Sequence, residues 1–222
     1  TMLIDLSPGA DAILAGFHST TRYNIGYSAR KGVTVRRANG SDLDTFYQIL
    51  SCTAERAGFS IRSRDYYRRE WAALAPNNAA QLFLAEYDGQ VLAARMPAAF
   101  GGKGATLHSG SIDLHRELKP NDLLMWESIK WAKARGCTTY DVWGIPDEIG
   151  AHLNLGNPMP EDQTAGLWGV YRFKRGFGGD IVYYIGAYDF IYSPLLGRLM
   201  NSVLARLGSL DRLAQLGDRL NP

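Results

Sequence analysis

Apolar positions recur at two different periods along this chain, and the switches between them outline its elements. In SDLDTFYQILSCTAERAG, Leu43, Phe46, Leu50 and Ala54 share one helical face, with Ser41 placed to start the helix and Gly58 to end it. Ser7 and Pro8 supply an N-cap and a first-turn proline for an earlier helix that is expected to run to about Lys31 and stop at Gly32. A further helical segment, RSRDYYRREWAALA, ends before Pro76. Alternating and β-branched patterns mark strands at TMLIDL and VTVRRA (33–38). QLFLAEY and QVLAARMPAAF form a meander joined by Asp88-Gly89, a strong hairpin signal. The glycine-rich turn GGKG (101–104) leads into ATLHSGSID. Asn121 is then expected to cap the helix DLLMWESIKWAKAR, which Gly136 stops before the strand TTYDVWG.

A strand, a helix and another strand in succession predict a right-handed crossover between parallel neighbours. The fold class is therefore α/β (α+β): a mixed sheet with flanking helices, an antiparallel meander followed by one parallel crossover. That order is unlike a Rossmann repeat, and no GxGxxG follows a strand. The 222 residues suit one large domain, or one domain and part of another. Lys and Arg number 24 against 22 Asp and Glu, too balanced for a protein that coats nucleic acid. Cys52 and Cys137 lie far apart, without partners at metal spacing, and read as two reduced thiols. No apolar run is long enough to span a membrane and the start lacks a signal-peptide pattern, so a cytoplasmic protein is expected. His108, His115 and His152 read as isolated, and Lys103 as an exposed hairpin lysine.

The densest chemistry lies in GLWGVYRFKRGFGG (166–179), where four aromatics and three cations sit among five glycines. On a helix over 164–176, Leu167, Val170, Tyr171 and Lys174 fall on one face. Gly176 is expected at the left-handed position after the helix, with Phe177 folding back on it and Gly178-Gly179 turning the chain into the strand DIVYYIGAYDF. A phosphate loop would need the reverse order, strand before helix. A capped amphipathic helix explains the apolar half of this pattern. It leaves Arg172, Lys174 and Arg175 as three cations within about one turn, with no carboxylate in the same stretch.

A helix ending in Gly-Phe after a mixed sheet resembles the acyltransferase fold of the GNAT superfamily. More narrowly, RFKRGFGG with GAYD downstream resembles the Fem family (FemABX) of aminoacyl transferases, as do IDLS (4–7) with TRYNIGYSARKGV (21–33), RDYYRREW (64–71) and WESIKWAKARGCTTYDVWGIP (126–146). The resemblance implies transfer of an amino acid from aminoacyl-tRNA to the stem peptide of a peptidoglycan precursor, either the UDP-linked or the lipid-linked muramyl pentapeptide. It places Phe173 and Lys174 at the tRNA acceptor end, with Lys174 as the cation for the developing oxyanion and Phe173 able to stack on a terminal base. Arg22 would bind precursor phosphate, with help from Tyr67 or its neighbour Tyr66, and Arg172 and Arg175 would complete the substrate contacts. Each has a plainer reading: a solvated arginine, aromatics at the rim of a core, surface cations. Asp141 reads as a general base or, more simply, as the group shaping a strand end. The chemistry needs neither metal nor cofactor, because the ester is already activated.

Family members usually carry two GNAT-like domains, so the resemblance implies that residues 1–32 are a strand and helix left from a first domain. Residues 33–191 would form the GNAT-like domain and 192–222 a helical tail. The strand TMLIDL is then expected to pair with protein outside this domain, either a missing first domain or a second chain. Two other functions stay open: an acyl-CoA-dependent N-acyltransferase and a non-catalytic partner domain. The junction SIDLHRELKPNDLL, without a glycine, argues against CoA, whose pyrophosphate needs free backbone amides there. The tail SPLLGRLMNSVLARLGSLDRLAQLGDRL (193–220) is amphipathic and suits docking on protein or, alternatively, peripheral membrane contact.

Overall fold

The computed structural model describes residues 1–146, 148–149, 167–185, 190–198 and 202. Its organising feature is a seven-stranded sheet among these residues, in the order β2-β3-β4-β5-β6-β1-β7. The strands are β1 (Met2–Asp5), β2 (Thr34–Ala38), β3 (Leu82–Tyr87), β4 (Gln90–Phe100), β5 (Lys103–Ser111), β6 (Thr139–Asp141) and β7 (Asp180–Ile181). Strands β2 to β5 form the expected antiparallel meander, and β5 and β6 are the one parallel pair. Asp88 (φ 48°) and Gly89 (φ 73°) both take the left-handed conformation that a two-residue hairpin requires.

Helices cover both faces. On one side lie α1 (Ala10–Gly16), α2 (Ser19–Arg30), the crossover helix α5 (Pro120–Ala134) and α6 (Leu167–Arg175), over a core that includes Met2, Ile4, Phe17, Ile25, Leu124, Ile129, Tyr140 and Phe177. On the other side α3 (Leu43–Ala57) and α4 (Arg64–Leu74) bury Phe46, Leu50 and Tyr67 against Leu82, Leu84 and Met96. The end of α3 is as the pattern suggested, but its start is not: Ser41 lies in a short tight turn, Gly40–Asp42, that the Asn39 side chain caps, and α3 follows it from Leu43. Gly58 ends α3 in the left-handed conformation (φ 70°), and the Ser63 hydroxyl caps α4.

Several expectations are corrected. The single helix to Lys31 is two helices, because Phe17 leaves the helical path to enter the core and His18 then caps α2 through Nδ1. Asn121 lies inside α5. The residue before that helix is Lys119, left-handed at φ 58°, and Pro120 occupies the first turn. The strand TMLIDL does not wait for an outside partner. It lies between β6 and β7, with Leu3 opposite Asp141 and Asp180. The strand DIVYYIGAYDF is short: β7 covers two residues, and Tyr183, Tyr184 and Ile185 are exposed. In the tail, residues 194–198 are helical and most of the remainder lies outside the described residues.

The short parallel pairing leaves a gap in the sheet. β5 and β6 are bonded only through Lys103, Gly104 and Ala105. From Thr106 onward β5 still pairs with β4 but has lost β6, so the sheet opens on that side. A bulge marks the place: β4 pairs Met96 with His108 and Pro97 with Thr106, leaving Leu107 unopposed. Pro97, which has no N–H to give a ladder, sits at this irregularity.

Candidate active site

Helix α6 closes the opening between β5 and β6. Its buried side chains are Trp168 and Tyr171, whereas Leu167 and Val170 are exposed, so the face that docks is turned from the one the sequence suggested. That rotation points Lys174 into the opening. Its ammonium donates to the carbonyl oxygens of Trp143 (3.2 Å) and Gly144 (2.6 Å), in the turn that follows β6. The turn is unusual, because Trp143 is left-handed (φ 66°), a conformation bulky side chains avoid and one that is found often at functional sites. Asp141 holds it there by accepting the Trp143 amide at 2.8 Å. The Asp141 carboxylate thus shapes the strand end, and through that turn presents two carbonyls to Lys174.

These groups border a cavity of about 450 Å³ in the opening. Arg95, Thr106 and Met125 line it from the sheet and α5, and Phe173 and Lys174 from α6. Phe173, half-buried, also borders two neighbouring hollows of about 610 and 240 Å³, so its ring is the partition among the three. The larger of these is a cleft between the first turns of α2 and α5, edged by Lys119, Arg172 and Arg175. Neither Arg172 nor Arg175 has an ion-pair partner among the described residues, and helix N-termini and cations together favour an anionic ligand. The cleft's own carboxylate, Asp122, is buried beside Asn24 (3.1 Å), and burial pushes its carboxyl above the usual range.

Burial lowers the Lys174 ammonium to about 8, helped by the nearby Arg95 charge and opposed by Asp141. The group is therefore mostly charged at pH 7 and loses its proton across a range where an ordinary lysine keeps it. If the ammonium is the working form, turnover is expected to fall as pH rises through about 8. Asp141→Asn keeps an oxygen to accept the Trp143 amide but removes the one charge that raises Lys174, so the alkaline limb should move to lower pH. An unchanged limb in a pH–rate profile of this variant would separate Lys174 from the rate.

Of the residues picked from the sequence, Lys174, Phe173, Arg172 and Arg175 come together around this partition. Three do not line any of the hollows. Arg22 is exposed on α2 and donates to the carbonyls of Ala15 (3.0 Å) and Phe17, closing off the end of α1. Tyr67 is buried in the core under α4, among Phe46, Tyr66 and His108, where burial raises its hydroxyl, and Tyr66 is half-buried beside it. His108 is not isolated, since its Nε2 lies 2.7 Å from a Glu70 carboxylate oxygen. His115 sits 3.3 Å from Glu117. In the sequence Arg95, Thr106 and Trp143 read only as members of strands. A signal exists in one case: Arg95 is the lone charge in QVLAARMPAAF.

Residues 19–152 match the family described as an acetyltransferase (GNAT) domain. The chain belongs to the GNAT acyltransferase family. Its relatives among characterised proteins include the lipid II:glycine glycyltransferases of Staphylococcus aureus and Staphylococcus epidermidis, each 22% identical, with 93% of this chain and 62% of theirs covered. The chain thus spans less than two thirds of the length of these proteins. Among solved structures, FemX superposes with a TM-score of 0.77 at 21% identity, over 90% of this chain and 63% of that one. The C-terminal domain of a putative lysylphosphatidylglycerol synthetase from Agrobacterium fabrum follows at 0.52 and 15% identity, over 81% and 56%. The likeness to Fem proteins thus covers nearly the whole chain, as the four stretches in the sequence implied, and the GNAT mixed sheet is as expected.

Proposed function

We propose that this chain transfers an aminoacyl group from aminoacyl-tRNA to an amine on the stem peptide of a peptidoglycan precursor. The observation that carries this reading is Lys174: a half-buried ammonium, fixed by two carbonyls, facing the opening of a GNAT sheet. The relatives named as acting on lipid II support a lipid-linked acceptor over a soluble one.

The reaction forms a C–N bond between the acceptor amine and the ester carbonyl, through an anionic tetrahedral intermediate. It breaks the ester C–O bond; the departing alcohol oxygen gains a proton and the attacking nitrogen loses one. Such an ester needs no protein nucleophile. It needs alignment of two large substrates and a fixed cation where the oxyanion appears. Lys174 supports the second role, since the two carbonyls direct its charge without neutralising it. Phe173 supports the first, since substrates in the hollows on its two sides would meet at its edge. Arg172, Arg175 and Lys119 suit a polyanionic substrate in the outer cleft, while Arg22, Tyr66 and Tyr67 would act from outside the hollows, Arg22 from the helix that lines that cleft.

An acyl-CoA donor is disfavoured by the junction before α5. It forms a short turn at Arg116–Leu118, passes through left-handed Lys119, and offers a proline where a free amide is wanted. The test gives the chain labelled aminoacyl-tRNAs or acetyl-CoA in turn, with lipid II and with the UDP-linked pentapeptide as acceptors. Aminoacyl transfer, faster to lipid II, is expected, together with no micromolar CoA binding by calorimetry. Acetyl transfer without aminoacyl transfer would overturn the proposal.

A further inference from the structure

Arg95 is the deepest charge in the described fold. It lies on β4, which has strands on both sides, and is only 4% exposed. Its Nη1 donates to the Thr106 hydroxyl (3.0 Å), which in turn lies 3.0 Å from the hydroxyl of buried Tyr140. Both partners are neutral. No carboxylate pairs with Arg95 among the described residues, and its Nε has no hydrogen-bond partner among them. A guanidinium cannot shed its proton, so a buried one without a counter-charge is a standing cost to the fold. A ligand that brings the missing charge would offset that cost.

The surroundings say where that charge would sit. Arg95 lines the same cavity as Lys174. Two other cations border it, Arg56 and Arg116, but these share Asp113 at 3.0 and 3.2 Å. Arg95 and Lys174 are left as the two cations without a carboxylate partner among the described residues. We propose that Arg95, in the cavity that it shares with Lys174, binds one oxyanion of a substrate, a carboxylate or a phosphate, present before the reaction begins, and that Lys174 stays free for the oxyanion that develops later. A transient oxyanion alone would leave Arg95 without a counter-charge among the described residues even in the substrate complex, until the intermediate forms. A ground-state anion compensates it on binding and relieves the mutual repulsion that helps to depress Lys174. The site rests on geometry; only its assignment to an acyl-transfer substrate rests on the function proposed above.

Melting of the 222-residue chain tests the site without any turnover. Sodium acetate and inorganic phosphate are titrated at constant ionic strength against wild type, Arg95→Met and Arg95→Lys. Without added anion, Arg95→Met should melt a few degrees higher than wild type, since it removes an uncompensated buried charge. Acetate or phosphate should raise the wild-type midpoint and leave that of Arg95→Met unmoved, with Arg95→Lys between them. A larger acetate response marks a carboxylate, as on a peptide, and a larger phosphate response a phosphodiester. Kinetics add a second reading: Arg95→Met should raise KM for one substrate by about tenfold or more, as for a lost charged hydrogen bond, at nearly constant kcat. Equal anion responses in wild type and Arg95→Met, or a lower midpoint for Arg95→Met without anion, would make Arg95 a structural member of the Thr106–Tyr140 network. A fall in kcat with KM unchanged would replace the ground-state anion by a transient one. Either result overturns the proposal.

Discussion

Replacing Lys174 by Met is expected to lower turnover by about a hundred- to a thousand-fold, the range typical when one preorganised donor to an oxyanion is removed. The Met side chain keeps the length and much of the apolar stem, so α6 should stay docked through Trp168 and Tyr171. The Trp143 and Gly144 carbonyls lose a donor but lie at an exposed turn, where water can replace it. The stability change should therefore stay below about 1 kcal/mol, small beside a rate effect of about 3–4 kcal/mol. Lys174→Arg separates charge from geometry. It keeps a cation, but a planar guanidinium does not reproduce an ammonium held between two carbonyls, and it does not titrate near 8. Partial activity with the alkaline decline removed would tie that decline to Lys174. A Lys174→Met enzyme with wild-type turnover would reduce the segment to a helix end.

The parts of this fold that can be read from the sequence are those fixed by neighbours along the chain. The β3–β4 hairpin follows from Asp88-Gly89, and the end of α3 from Gly58. The crossover through α5 follows from the order of patterns alone. What cannot be read depends on residues far apart. Nothing in TMLIDL says that it fits between β6 and β7, because its partners Tyr140 and Asp180 come far later in the sequence. The docked face of α6 is misread for a related reason: Trp168 is as apolar as Leu167, and only the position of the sheet decides which turns inward. The site is half legible. Arg172, Lys174 and Arg175 stand out as cations without local carboxylates. Arg95 is hidden inside a strand whose alternation is otherwise apolar, although a single arginine between Ala94 and Met96 on a strand paired on both sides has few innocent explanations.

The other large effect is expected at Gly176, and its sign is decided by space rather than by backbone freedom. Gly176 is not the left-handed residue after α6; that position falls to Gly178 (φ 68°), while the amides of Gly176, Phe177 and Gly178 continue the helix as tighter turns to Phe173, Lys174 and Arg175. Alanine would thus suit the backbone at 176, and elsewhere would stabilise by about 0.4–1 kcal/mol through the unfolded chain. Here a Cβ would crowd the Thr21 hydroxyl oxygen and lie 3.1 Å from the Phe173 carbonyl oxygen. Thr21 is buried on α2, and Gly176 itself accepts the His18 amide at 2.9 Å, so neither side can move freely. Overpacking of this kind costs about 1–3 kcal/mol, which exceeds the entropic gain. Gly176→Ala should therefore be destabilised by about 1–2 kcal/mol. The strain is relieved by pushing the end of α6 away from α2, and that end carries Phe173 and Lys174. A displacement of about 1 Å at a catalytic group can cost about a hundred-fold in rate. Thr21→Ala removes the nearest atom, so the double variant should recover most of both losses, as a coupled pair does in a double-mutant cycle. Additive losses in melting and turnover would show that Gly176 leaves room for something other than Thr21, and would detach the helix contact from the placement of Lys174.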